Sequence, residues 1–264
     1  MSTDSYLGRR QPVVKLAIVL ALSLGLFLVI DPLTPLLFVA VTVAAGLRLG
    51  RIGARAYAEV LAPLTLVGLG FVWTNAVFAR PSAPGIVWEI GPLRTTEAGL
   101  LFGLAIGLRG LAIGALSVTF VLTTGPSDLV VGLIRHARVP FRLGYPLLAA
   151  YRFLPFFRDE LDQIDLARRV RGELAPRSPI GGVLRRWGEI VPLLASAVRR
   201  AARIAVAMDA RGFAAARERT YLRDAPLTGR DLMFAVAALG LGVALLALGA
   251  AGGWLRLWDG RFSA

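Results

Sequence analysis

The sequence predicts an all-α polytopic membrane protein of about five transmembrane helices, carrying a cytoplasmic domain of long amphipathic helices. Three observations predict it. Of the 264 residues 56% are hydrophobic and the mean hydropathy is +0.66, with leucine, alanine, valine and glycine gathered into runs that lack charge, unlike the patterning of a soluble core. Arginine and lysine concentrate in alternate connections between those runs, as the positive-inside rule requires. One long stretch is arginine-rich and repeats its apolar residues at helical spacing instead of in blocks.

A helix needs about 20 apolar residues to cross a bilayer. The first two runs, 13–30 and 36–47, read as a hairpin turned by Asp31, Pro32 and Pro35, and the second arm is short enough to tilt or re-enter. The third run is 60–79. The fourth, 98–124, is interrupted only by Arg109, which must face protein or snorkel. It also carries Gly103 and Gly107, then Gly110 and Gly114, at the four-residue spacing that lets another helix approach closely, from this chain or from a partner. The last run is 232–255. With the N-terminus inside, Arg9, Arg10, Lys15, Arg48, Arg51 and Arg55 are cytoplasmic together with 126–230, and only Arg80, Arg94, Arg256 and Arg261 are external. No small-residue cleavage site follows 13–30, so that span is read as retained. The expected organisation is therefore 1–125 as N-terminal transmembrane helices, 126–230 as the cytoplasmic region, and 231–264 as a final transmembrane helix and tail.

Within 126–230 the segment after Arg158 places Leu161, Ile164, Ala167 and Val170 on one stripe; a second amphipathic helix aligns Ile190, Leu194, Ala197, Ala201, Ile204 and Met208. Both are too charged to cross a bilayer. Pro176, Pro179, Gly181 and Gly182 predict the turn between them, and the apolar 143–157, with Arg152 and Pro155, reads as kinked and interfacial. Each helix ends in the pattern Ala-x-x-x-Arg-Gly: Ala167 to Arg171-Gly172, and Ala207 to Arg211-Gly212. Glycine suits the left-handed position just past a helix, and arginine in the last turn complements the negative dipole end, so capping alone explains each copy. Two copies forty residues apart on paired helices make a device with two equivalent tips, which suits a partner with two similar subunits.

Several chemistries are disfavoured. There is no cysteine, and the single histidine, His136, stands among basic neighbours Arg135 and Arg138, where a solvated or interfacial role is the ordinary one. The net charge of +13 is spread among apolar spans instead of forming a basic patch with stacking aromatics, which argues for a membrane surface or protein partner over nucleic acid. Asp159, Glu160, Asp162 and Asp165 raise the alternative of a lipid-modifying membrane enzyme holding Mg²⁺. They fall within one helix at spacings of one to three, so they cannot all converge on one ion, and pairing with Arg158, Arg168 and Arg169 accounts for them. A permease would want more polar residues in the spans.

In order along the chain, Thr124-Gly125-Pro126-Ser127-Asp128-Leu129, Val139-Pro140, Tyr151-Arg152-Phe153-Leu154-Pro155 with Asp159-Glu160, the two Arg-Gly tips, Arg219-Thr220 and Asp231 resemble the motifs of the transmembrane T components of energy-coupling factor (ECF) transporters. Pro12-Val13-Val14-Lys15-Leu16 resembles that family's N-terminal motif, and Ala210-Arg211-Gly212 its second signature; the first signature has Val170 where the family usually has alanine. The resemblance implies a non-catalytic coupling subunit of an ECF-type ABC importer in the inner membrane, with no cofactor of its own. Two ABC ATPase subunits, or one fused ATPase, would hydrolyse ATP, since no phosphate-cradling Gly-x-x-x-x-Gly-Lys loop is present here. A separate membrane substrate-binding S component would take up a vitamin or a transition-metal ion. The resemblance assigns ATPase coupling to Arg171, Gly172, Arg211 and Gly212 with Ala167, Ala207 and Ala210, and supporting roles to Asp128, Pro140, Arg152, Pro155 and Glu160. Arg168, Arg169, Arg199 and Arg200 are expected at the rim of that contact or against lipid headgroups.

Overall fold

Long apolar stretches without a hydrogen-bonding side chain leave a backbone in lipid only one way to satisfy itself locally, the helix. The computed structural model describes residues 5–77, 86–90, 93–137, 139–172, 179–213 and 227–254. Its elements are α1 (Pro12–Phe27), α2 (Leu33–Arg48), α3 (Ala54–Val77), β1 (Ile86–Ile90), β2 (Leu93–Thr96), α4 (Glu97–Thr123), α5 (Pro126–His136), α6 (Phe141–Val170), α7 (Pro179–Ala210) and α8 (Gly229–Ala251). Ala79, Arg80, Arg138, Pro176, Arg219, Thr220, Leu255, Arg256 and Arg261 lie outside the described residues. The chain divides into two compact units, one of Met1–Val139 with Ala225–Ala264 and one of Pro140–Asp224.

In the first unit α3, α4 and α8 are, among the described residues, the helices long and apolar enough to cross a membrane. The protein is an all-α membrane protein in its body. A two-stranded antiparallel hairpin between α3 and α4, pairing Ile90 with Leu93 and Glu89 with Arg94, is an addition to that expectation. The alternation of Ile86, Trp88 and Ile90 ahead of Gly91-Pro92 is the strand signal that helical reading passed over.

The α1–α2 hairpin departs from a pair of full crossings. Each arm has 16 residues, about 24 Å of helix against about 30 Å of hydrocarbon. At its turn Asp31 Oδ2 accepts the Thr34 N–H at 2.6 Å, which starts α2 at once and leaves Pro35 in its first turn, where a missing N–H costs nothing. Arg109 donates to the Val29 carbonyl and lies 5.8 Å from the Phe27 ring centroid. Arg109 stands fourteen residues before Thr123 in α4, about 21 Å along its axis, so the hairpin ends against the middle of α4 and the arginine faces protein.

Leu26, Phe38, Ala112, Leu116 and Leu245 form the core shared by α1, α2, α4 and α8. Helix α3 packs on α4 through glycine: a Cβ on Gly107 would stand 3.0 Å from the Gly68 carbonyl oxygen, and one on Gly103 2.7 Å from Val72 Cα. Gly103 and Gly107 thus serve packing within the chain, Gly114 meets Leu64, and a Cβ on Gly110 would have none of the described residues within 4 Å.

One end of this unit is tied together by polar contacts. Buried Lys15 donates from Nζ to the Leu7 and Thr123 carbonyls at 3.0 and 2.8 Å, and the Leu7 N–H donates to the Leu49 carbonyl at 3.3 Å. Asp231 accepts from the N–H groups of Gln11 and Thr228 at 3.3 and 3.1 Å and lies 3.8 Å from Arg10. The start of α1, the ends of α2 and α4 and the start of α8 therefore share one end, with Arg9, Arg10, Arg48, Arg51 and Arg55 in or beside these termini.

Candidate functional site

The second unit is a pair of long helices. The stretch 143–157 is not a separate segment: α6 runs for 30 residues with Pro146 and Pro155 inside it, because each proline removes one hydrogen bond from a ladder that the turns on either side preserve. Nor do Pro179, Gly181 and Gly182 form the turn. Pro179 opens α7, which then runs 32 residues through Pro192, since proline's fixed φ suits the first helical position.

Three cross-helix contacts give the direction of packing. Near the start of α6 the Tyr145 ring meets Phe213, just past α7, edge-on at 5.9 Å. In the middle the Arg200 guanidinium lies 4.7 Å from the Phe156 centroid and 5.7 Å from that of Phe153. Near the end of α6, Arg168 Nη1 lies 4.0 Å from Glu189 Oε1, early in α7. As one helix is read forward the other runs back, so the pair is antiparallel. Arg171-Gly172 and Arg211-Gly212, each at a C-terminus, consequently lie at opposite ends. Tyr145 and Arg168 are twenty-three residues apart on α6, so the ends are separated by about 35 Å.

The expected stripes are only partly covered. On α6, Leu161 and Ile164 are partly buried, while Ala167 and Val170 towards the tip are exposed. On α7 Glu189 is buried and Leu193, Ser196, Ala197, Arg200, Ile204 and Met208 are partly buried, Glu189 and Arg200 meeting α6; Ile190, Leu194 and Ala201, expected on the same stripe, are exposed, as are Trp187, Val191 and Val198. An α-helix turns 100° per residue, so an apolar face broad enough for two contacts cannot be filled by one neighbour.

Both tips are capped by glycine in the left-handed region, Gly172 at φ +86° and Gly212 at φ +74°. At the second tip the Phe213 N–H donates to the Met208 carbonyl at 3.0 Å and the Gly212 N–H to the Asp209 carbonyl at 2.9 Å, the paired bonds of a Schellman cap. At the first the Gly172 N–H donates to the Arg169 carbonyl at 3.0 Å. Arg171 and Arg211 are exposed, as are Ala167, Ala207, Ala210, Gly172 and Gly212. Among the described residues nothing lies within 4 Å of a Cβ at Gly212, so Gly212→Ala is expected to meet chiefly backbone strain, costing about 1 kcal/mol. Thermal unfolding of the detergent-purified protein measures it, and Gly212→Asn, which tolerates this φ, should lose less.

The supporting residues divide between the units. Asp128 is in the first turn of α5, in the first unit, its Oδ2 facing Gly125. Pro140 is the N-cap of α6; Arg152 and Pro155 are exposed on that helix and Glu160 partly buried. Asp165 pairs with Arg169 one turn on, at 2.7 Å. Arg168 and Arg200, expected at the rim of that contact or against lipid headgroups, make contacts between α6 and α7. For Arg168 the signal available in the sequence was Glu189, a lone carboxylate on an otherwise apolar stretch of α7.

The family model described as Cobalt transport protein, CbiQ, matches residues 4–222. The chain is 32% identical over 247 residues to the energy-coupling factor transporter transmembrane protein EcfT of Thermosediminibacter oceani, covering 89% of this chain and 90% of that one. It is 30% identical over 265 residues to EcfT of Brevibacillus brevis, covering 96% and 95%. It is also 27% identical over 252 residues to a protein of Bifidobacterium longum described as an ABC transporter ATP-binding protein, covering 92% of this chain and 32% of that longer one. With a family match across most of its length and relatives of this identity along nearly the whole of theirs, the chain belongs to the CbiQ family, the transmembrane T components of energy-coupling factor transporters.

Proposed function

We propose that this T component is the non-catalytic coupling subunit of an importer, passing the closure of two ABC ATPase subunits, or one fused ATPase, to a membrane substrate-binding S component that takes up a vitamin or a transition-metal ion. The observation that carries the reading is the pair of exposed, glycine-capped arginines at opposite ends of one antiparallel helix pair. Two like contacts about 35 Å apart along helices suit two like ATPase subunits, and guanidinium groups make forked bonds to carboxylates and carbonyls. The Bifidobacterium longum protein supports the partnership, because a T-component-like third within an ATP-binding protein is what fusion of the two parts would give.

On this reading the arginine-rich end of the first unit faces the cytoplasm of an inner-membrane protein, 126–230 is the cytoplasmic region, and the exposed apolar faces of α3 and α8 meet lipid. Reporter fusions are expected to show 177 inside and 94 outside; the reverse at either position would overturn the topology. Co-expression with ATPase subunits and an S component, followed by purification in mild detergent, is expected to yield one complex with ATP-dependent uptake. ATP-independent uptake by this chain alone would favour a permease instead.

A further inference from the structure

We propose that Arg168 and Glu189 are the positioning pair of the first coupling tip, and that the two tips are held by different chemistry: an ion pair behind Arg171-Gly172, an aromatic contact behind Arg211-Gly212. The proposal rests on the coupling reading above and deepens it.

Arg168 stands three residues before Arg171, on the turn that carries the tip. Its guanidinium crosses to α7, 4.0 Å from the carboxylate of Glu189, whose side chain is 11% exposed. Gly188 makes that crossing possible, for a Cβ there would meet the two Arg168 terminal nitrogens at 3.1 and 3.2 Å. Neighbouring Arg169 provides the contrast, since it turns back to Asp165 on its own helix and has no ion pair across to α7 among the described residues. A load applied at Arg171 can therefore pass directly from α6 into α7 through Arg168.

The other tip has no such ionic tie among its described cross-helix contacts. Phe213 follows Gly212 directly and meets Tyr145 edge-on, a contact that depends on apolar area and ring geometry. Salt weakens an ion pair, one as largely buried as this only in part, and leaves an aromatic contact essentially untouched. The symmetry of the two Ala-x-x-x-Arg-Gly patterns thus conceals unequal mechanics, with the first tip clamped by charge and the second by packing.

The test uses the whole complex, co-expressed and reconstituted in liposomes, and reads solute taken up per ATP hydrolysed in assembled complexes. Glu189→Gln keeps the shape and removes the charge; it is expected to leave ATPase copurification intact and to lower uptake per ATP about fivefold, the scale of one partly exposed charge pair. Gly188→Leu, which displaces the guanidinium, should reproduce that loss. Arg168→Glu with Glu189→Arg should recover most of it. In 500 mM rather than 50 mM salt, wild type should shift towards the Glu189→Gln value while Glu189→Gln itself changes less. Wild-type uptake per ATP in Glu189→Gln, loss of assembly in Glu189→Gln, or a charge swap no better than either single variant would each overturn the proposal. Arg171→Glu, assayed alongside, separates the two levels: if it assembles and transports normally the coupling reading itself fails, whereas if it fails and Glu189→Gln is normal only the positioning role is lost.

Discussion

Replacing Arg171 and Arg211 together by glutamate is expected to abolish copurification of the ATPase subunits and ATP-dependent uptake, while the chain still inserts and still holds the S component. Each arginine projects at an exposed, glycine-capped helix end, so the substitution removes a forked cationic donor without touching the packing of α6 on α7. Truncating one side of a buried interfacial charge pair costs about 2 to 5 kcal/mol, mostly as faster dissociation; reversal adds repulsion, and two tips multiply the effect on affinity. Either single variant should impair assembly strongly and leave a residue of it, since the other tip remains. Arg199→Ala, on an exposed position, should be mild. The measurement is the yield of ATPase on the tagged chain beside solute uptake. Normal assembly and uptake in the double variant would end the role assigned to these tips.

The second large effect is expected at Gly107. A side chain there must enter the space occupied by Gly68, whose carbonyl oxygen and Cα would lie 3.0 and 3.2 Å from the new Cβ. Both are backbone, so neither can rotate aside, and overpacking of this kind typically costs about 1 to 3 kcal/mol or more. Without a hydrophobic driving force between helices in lipid, close backbone approach is much of what holds α3 to α4. Gly107→Leu is therefore expected to separate them, lowering the yield of folded protein and its thermal stability in detergent. Gly110→Leu, one turn on and open, should leave stability near wild type. Equal stability of the two variants would remove the glycine contact from the account of this fold.

Much of the architecture was legible because its signals are local. Runs of leucine and valine announce helices in lipid wherever they stand, and the capping glycines at 172 and 212 announce where two helices stop. The ends of α4 were read almost to the residue, since Thr124-Gly125-Pro126 closes one helix and opens the next. The α1–α2 turn was found but not its depth. Asp31 and Pro32 say that the chain turns; only Arg109, seventy-eight residues later, shows that the turn meets the middle of α4.

The sequence by itself determined that this is a helical membrane protein of the CbiQ family with two arginine tips, because apolar runs, caps and family motifs are properties of neighbouring residues. Tertiary structure alone decided the rest. It put the tips at opposite ends of α6 and α7, turned Gly103 and Gly107 onto α3, and drew Arg168 and Arg200 inward to Glu189, Phe153 and Phe156. The physical reason is that periodicity reports which face of a helix is apolar but not which neighbour covers it. An arginine reads the same whether its charge meets water, lipid phosphate or a carboxylate on another helix; only the packing of distant segments selects among them.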